Sequence, residues 1–115
     1  MSIYMLITNV KAIQTGPLSS GSQVVQPSGP LDRSSPTQLE QLQVVVTGTG
    51  ALSASVQLVG SNDAVNFVNI GAVTTASGTN RGSAGLSTAV AWAFYGAYVT
   101  AISGTNATVN ASLSA

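Results

Sequence analysis

Two residue types that carry much of enzyme chemistry are missing from this chain of 115 residues, which contains neither cysteine nor histidine. Cysteine is required for disulfides and thiolate nucleophiles, and the two residues together are the usual soft metal ligands. Histidine is also the commonest general base. The composition therefore argues against most nucleophilic and metal-dependent mechanisms, and it predicts a protein that is not an enzyme and has no cofactor.

Charged side chains are also scarce. Only 5% of the residues are Asp, Glu, Lys or Arg, whereas ordinary globular domains contain roughly 25%. Three basic and three acidic residues cancel to a net charge of zero. A neutral surface does not attract nucleic acid, and it lacks the repulsion that keeps monomers apart. We therefore expect no nucleic-acid partner. The surface is either solvated by Ser, Thr, Asn and Gln or largely covered by neighbouring proteins, and the second alternative is favoured.

The three acidic residues do not suggest a site. A glycosidase-like pair needs two convergent carboxylates. Asp32 lies in a proline-rich stretch, whereas Glu40 lies in the predicted β domain. Asp63 follows Asn62 in a turn sequence, where an acidic side chain typically caps its own backbone. Asn62, Asp63 and Asn66 could supply oxygens to calcium, but we expect a capped hairpin turn instead.

The first third of the chain has its own character. All four prolines fall between residues 17 and 36, within a Gly-, Ser- and Gln-rich stretch that excludes regular helix. It is either a disordered linker or an extended arm ordered against a neighbour. The apolar segment Ile3–Val10 favours the arm, because a strand without a partner is a liability. That segment could join the sheet of its own domain or of an adjacent subunit.

These observations predict an N-terminal strand and extended arm over residues 1–37, followed by a β domain over residues 38–115. We expect the arm to contribute little to the core. Its apolar residues are the predicted assembly contacts, namely Ile3, Tyr4, Leu6, Val24, Val25 and Leu31.

From Leu39 onward the pattern is that of β-structure. Apolar residues alternate with polar ones from Leu52 to Leu58 and again from Ala107 to Leu113, which is the period of a half-buried strand. Gly-rich turn signals separate the strands at residues 47–50, 60–63, 77–82 and 103–106. We therefore predict an all-β fold, an antiparallel β-sandwich or jelly-roll-like barrel of six to eight short strands.

The segment Leu86–Gly104 is uncharged and long enough to span a bilayer. It is diluted by Ser, Thr and Ala, and it lacks flanking anchors. We therefore expect it to form strands, with no membrane partner.

Aromatic residues cluster near one predicted strand, at Trp92, Phe94, Tyr95 and Tyr98. Alternation places Trp92 and Phe94 in the core and directs Tyr95 to the opposite face. Exposed aromatic rings at Tyr95 and Tyr98 would instead form a platform for a sugar or a partner protein. These two tyrosines are therefore candidate contact residues.

The segment Gly60-Ser61-Asn62-Asp63-Ala64-Val65-Asn66-Phe67 resembles the G-S-N-D-G-x-N-W/F turn of many small virion proteins of tailed bacteriophages. Trp92-Ala93-Phe94-Tyr95 and Ser103-Gly104-Thr105 follow in the same order as in those proteins. The resemblance covers residues 42–115 and excludes the arm. Ala64 stands where the motif has glycine, which leaves the turn type open.

The resemblance implies a capsid decoration (cement) protein, a β-sandwich or jelly-roll module that is often trimeric and reinforces capsomer junctions. Its implied partners are the major capsid protein and further copies of itself, on the outer capsid surface of the virion. The alternative is a tail, collar or fibre-associated module that binds a host glycan or another tail protein. A major tail-tube or coat subunit is disfavoured by the small size and the absence of a predicted helix.

Overall fold

The computed structural model describes residues 3–19, 21–25, 40–88 and 92–114. Within these ranges all regular structure is β-strand, so the predicted all-β class is confirmed. The five strands are β1 (Ile3–Val10), β2 (Glu40–Ser61), β3 (Val68–Asn69), β4 (Thr74–Thr88) and β5 (Phe94–Ser114).

The strands form one antiparallel sheet built around two long central strands, β2 and β5. One edge of β5 pairs with β2 and the other with β1. The second edge of β2 pairs first with β4 and then with the short β3. The sheet therefore runs in the order β1-β5-β2-β3, with β4 beside β2. Its further arrangement as a sandwich or jelly roll stays a prediction.

Five strands are described where six to eight were predicted, because three predicted breaks lie inside long strands. Residues 47–50, 77–82 and 103–106 are not hairpin turns but parts of β2, β4 and β5. They are level with each other in the sheet, since Thr49 lies opposite Thr105 and the pairing with β4 shifts between Thr47 and Ala51. The turn predictions at these three places were wrong.

We call this line across the sheet the crease, and it consists of residues 48–50, 80 and 104–106. It contains left-handed backbone on every strand, with φ of 77° at Gly50, 64° at Asn80 and 56° at Asn106. The Gly50 N–H donates to the Asn80 side-chain oxygen at 2.7 Å. Glycine and asparagine tolerate this conformation best, so the residues that resembled turn signals instead bend three adjacent strands together.

The crease shortens the molecule. The 22 residues of β2 would extend about 70 Å if straight, but the longest dimension is 45 Å. The strands must therefore bend, and the interrupted register at the crease shows where they do so.

The core is continuous across the crease. On β2 it is formed by the alternating residues that the sequence predicted, and the fully or almost fully buried side chains there are Leu42, Val44, Val46, Leu52, Ala54, Val56 and Leu58. Their counterparts on β5 are Tyr95, Ala97, Val99, Ala107, Val109, Ala111 and Leu113. The period-2 interpretation is confirmed for β2 and for residues 107–113 of β5.

The first strand belongs to this core, contrary to prediction. Leu6, Ile7 and Val10 are buried in it, because β1 pairs with the end of β5 from Ile3 opposite Ser114 onward. Of the two alternatives for Ile3–Val10, the structure shows pairing with its own domain. The predicted boundary at residue 37 lies outside the described residues, but β1 and the β domain share one sheet.

The segment after β1 also follows the sheet. The Gln14 N–H donates to the Val99 carbonyl at 2.9 Å, and Val25 exchanges two backbone hydrogen bonds with Tyr95. Residues 21–23 return along β1, where the Gln23 N–H donates to the Leu6 carbonyl at 2.7 Å. This segment therefore covers the outer edges of both β1 and β5.

The apolar stretch that was long enough for a bilayer is divided between two strands. Leu86–Thr88 belong to β4 and residues 94–104 to β5. In the described part of the chain, no helix is long and apolar enough to cross a membrane.

Candidate functional site

The two acidic residues within the described ranges are far apart. Glu40 is the first residue of β2, whereas Asp63 lies just beyond the other end of that strand. Asp32 lies outside the described residues. Within the described ranges, no group of three or more metal-ligating residue types comes together. Glu40 and Asp63 therefore do not form a convergent carboxylate pair.

Asp63 organises the turn that carried the resemblance. Its carboxylate accepts hydrogen bonds from the Ser61 hydroxyl at 2.8 Å and from the backbone N–H groups of Val65 at 2.9 Å and Asn66 at 2.8 Å. The Asn66 side-chain amide donates to the second oxygen at 2.9 Å. The backbone N–H of Asn66, then that of Val65, then the side chains of Asn66 and Ser61, hold the pKa of this carboxyl well below its usual range.

Both carboxylate oxygens are thus occupied by the turn itself, as expected for a capped turn. Ala64 adopts a left-handed conformation with φ of 60°, which explains why the motif has glycine at this position. The prediction of a capped turn is confirmed, and the residues proposed for calcium serve the backbone instead.

The turn is tied to the aromatic segment. The Ala93 N–H donates to the Asn62 side-chain oxygen at 3.3 Å, and the Trp92 N–H donates to the Tyr95 hydroxyl at 3.1 Å. The Trp92 ring lies directly against Gly60, where a Cβ atom would collide with it. The turn at residues 60–66 and the aromatic segment at residues 92–95 therefore pack together as one structural unit.

The face assignment of the aromatic residues was wrong. Tyr95 is fully buried with Ala97 and Val99, whereas Phe94 is only half-buried. The reason is that β5 begins at Phe94, so Trp92 precedes the strand and packs against the core from outside its alternation. Tyr95 is therefore excluded as an aromatic contact, and Tyr98 remains half-exposed on the outward side.

The predicted arm contacts are placed unequally. Leu6 is buried in the core of its own chain, so it is not available to a partner. Tyr4, Val24 and Val25 are half-buried, and Val25 packs against the core. Ile3 is exposed, and Leu31 lies outside the described residues.

Three further exposed apolar residues of this region were not predicted. Ile3, Met5, Ile13 and Leu18 are 70%, 40%, 62% and 73% exposed, and we call them the N-terminal contact set. Ile13 precedes the Gly-, Ser- and Pro-rich stretch and Leu18 lies within it. Their position as single apolar residues among polar ones was the only sign in the sequence that they would be exposed. A second group, the β3 contact set, consists of Val65, Val68 and Val73.

The outward face of the sheet is polar and neutral between the crease and the start of β2. A groove of about 530 Å³ on this face is lined by polar and apolar residues together, namely Ile3, Gln41, Leu42, Gln43, Ser83, Ala84, Gly85, Ser112 and Ser114. Arg81 is the one charged side chain that is exposed on the five described strands. This face can therefore make hydrogen bonds without strong electrostatic preference.

The chain matches no protein-family model, no curated protein and no solved structure. Its function must therefore be argued from the surfaces described above. The geometry provides two kinds of contact, exposed apolar side chains on the N-terminal segment and neutral hydrogen-bonding groups on the open face of the sheet.

Proposed function

We propose that this protein is a non-enzymatic virion structural protein, a capsid decoration protein that binds the outer capsid surface and reinforces capsomer junctions. The observation that carries the proposal is the N-terminal contact set. Of the seven large apolar residues that are exposed in the described ranges, four lie within the first 18 residues, on β1 and on the segment after it, which is hydrogen-bonded to the edges of the sheet.

Exposed apolar residues held on an ordered segment are typical of an interaction surface. The exposed strand positions around them are nearly free of charge, so contacts repeated many times over a shell would not accumulate repulsion. Each contact can be weak, because many copies on one particle act together. The major capsid protein is the proposed partner, and the homotrimer implied by the resemblance stays a prediction.

The test is addition of the purified protein to particles assembled without it. The variant Ile13→Ser with Leu18→Ser changes two exposed side chains, so the fold should be kept while particle binding and resistance to heat fall. The matched control is Val65→Ser with Val73→Ser in the β3 contact set. Equal binding by wild type and the first variant would contradict the proposal.

Substitution is preferable to deletion of the arm. Removing residues 1–37 would also remove Leu6, Ile7 and Val10 from the core, so a loss of binding would report unfolding. The number of copies per particle is a second measurement, because a decoration protein is present in numbers comparable to the shell protein.

The alternative proposal is a tail, collar or fibre-associated module. The neutral groove beside Gln41 and Gln43 favours it, because amide and hydroxyl groups are suited to sugar hydroxyls. A glycan array with Gln43→Ala as the comparison would distinguish the two, and a handful of copies per particle would also support this alternative.

A further inference from the structure

The outer edge of β4 is the feature that the proposed function does not use. β4 pairs with β2 along one side, from Glu40 opposite Thr88 to Val56 opposite Thr74. No described strand pairs with the other side at residues 82–87. In an antiparallel strand, alternate residues direct their N–H and C=O groups to each side. This edge therefore presents backbone groups that another strand can bind.

The crease divides this edge in two. Asn80 is left-handed, and a Cβ atom on Gly78 would collide with the Arg81 carbonyl. A partner strand cannot continue straight past this point. Residues 83–87 form the straight part on one side, and their sequence is Ser-Ala-Gly-Leu-Ser. They contain neither charge nor proline, which are the devices that usually protect edges.

In the described part of the chain, two side chains that pack on the core are incompletely covered at this edge. Leu42 and Val44 on β2 are almost completely buried, whereas their neighbours Leu86 and Ala84 on β4 are only partly buried while packing against the same core. A strand added here would complete their burial if it presented small and medium apolar side chains on the core side.

We propose that residues 83–87 pair with the same residues of a second copy, antiparallel and about a two-fold axis at Gly85. This register places Ala84 opposite Leu86 of the second copy on the core side, and Ser83 opposite Ser87 on the open side. A shift of one residue in the pairing would place the apolar residues of one copy on the same side of the sheet as the serines of the other. Because both copies use the same surface, the contact closes as a dimer and does not continue into a fibre.

Charge favours this register over pairing of the whole strand. Pairing centred at residue 81 would bring the two copies of Arg81 together, and like charges opposite each other are destabilising. Centred at Gly85, the two arginines are eight residues apart along the pair, about 27 Å. That separation exceeds the screening length of about 8 Å at physiological salt. The proposal would stand without particle binding, and it differs from the homotrimer that the resemblance implies, because this two-fold contact alone gives a dimer.

A single cysteine tests the axis, because the chain has no other. Residues directly opposite in an antiparallel pair have Cα atoms about 4.5–5.5 Å apart, within the range of a disulfide. Gly85→Cys should therefore oxidise to a covalent dimer, whereas Ser77→Cys, beyond the crease on the same strand, should not. The new Cβ atom at position 85 would lie 3.2 Å from the Leu42 carbonyl oxygen, so circular dichroism should confirm the fold.

Charge reversal tests the contact without changing Gly85. Ser83→Lys with Ser87→Lys, and Ser83→Glu with Ser87→Glu, should each weaken dimerisation about tenfold in sedimentation equilibrium. An equal mixture of the two variants should recover the dimer as a heterodimer. The control, Ser77→Lys with Thr79→Lys, should dimerise like wild type.

Three outcomes would overturn the proposal. They are a monomer at all concentrations, a trimer without crosslinking at position 85, and a dimer that the charged variants do not weaken. The first two results leave particle binding by the N-terminal contact set untouched, so failure here is distinguishable from failure of the proposed function.

Discussion

The two sides of the crease differ in how they are covered. On the far half, residues 51–61, 74–79 and 94–103, the outward face is closed at the end away from the crease, since Gln57, Val59 and Ser61 are buried although they alternate with the core residues. On the near half, residues 40–47, 81–88 and 107–114, Gln41 and Gln43 are exposed on the outward face.

The closed face of the far half is made by loops and by the N-terminal segment. Trp92 lies against Gly60, and Pro17 lies against Gly96. The Gln57 side-chain amide donates to the Leu58 carbonyl at 2.8 Å and to the Ile70 carbonyl at 3.3 Å. The difference teaches that one sheet can share a continuous core between its two halves while only the near half keeps an open polar surface.

The largest effect is expected for a core truncation in the far half. Leu58→Ala should lower the free energy of unfolding by about 3 kcal/mol, because a fully buried side chain leaves a cavity. Leu86→Ala in the near half should cost about 1 kcal/mol, because this side chain is only partly buried. Urea denaturation followed by Trp92 fluorescence measures both, and equal losses would break the comparison.

A smaller loss of stability is expected at Gly60, where the Trp92 ring covers the outward face of the far half. Gly60→Ala should lower stability by about 2 kcal/mol, because the added methyl group collides with Trp92 and Ile70. Gly85→Ala in the near half should change stability by less than about 1 kcal/mol. Thermal unfolding of the two variants compares them, and an unaffected Gly60→Ala protein would show that Trp92 does not close this face.

A substitution in the turn at the end of the far half should raise the stability of the protein. Ala64 is left-handed, so Ala64→Gly should raise the free energy of unfolding by about 0.5 kcal/mol after the entropy of glycine in the unfolded chain is included. Asn106→Gly at the crease is the control, and we expect almost no change because asparagine tolerates this conformation. A loss of stability in Ala64→Gly would contradict the assigned backbone.

The smallest effect depends on pH and belongs to the same turn. The pKa of Asp63 is lowered in the folded state, so its stabilising contribution is present above the ordinary carboxyl pKa of about 3.9. It is lost as the pH falls toward the folded value. Asp63→Asn should therefore be less stable than wild type at neutral pH, and the gap should narrow on acidification. A constant gap in urea titrations at several pH values would argue against this role.

Much of the fold could be predicted from alternation alone. The buried positions of β2 and the capped turn at Asp63 depend on local chemistry, and both were found. The crease could not be separated from a turn, because Gly50, Asn80 and Asn106 meet the needs of either. Whether these residues form a turn or a bend depends on the neighbouring strands. Because β2, β4 and β5 bend together, their backbone pairing continues on both sides of the crease.

The candidate surfaces were predicted less well for a similar reason. Leu6 and Ile13 are both apolar residues in the first third, and nothing in their neighbours distinguishes the buried one from the exposed one. Leu6 is buried and Ile13 is not because β5, about a hundred residues away along the chain, pairs with β1. Tyr95 was misplaced because its face depends on where β5 begins.

The pairing of β1 with β5 also bears on how the chain folds. Ile3 lies opposite Ser114, so β1 cannot find its partner until β5, far later in the chain, has been synthesised. Until then the apolar sides of β1 and β2 have no cover, and folds dominated by such distant pairings form slowly. A chain interrupted before residue 94 would lack β5, the strand that pairs with both β1 and β2, and would lose seven buried core residues, so we expect it not to fold.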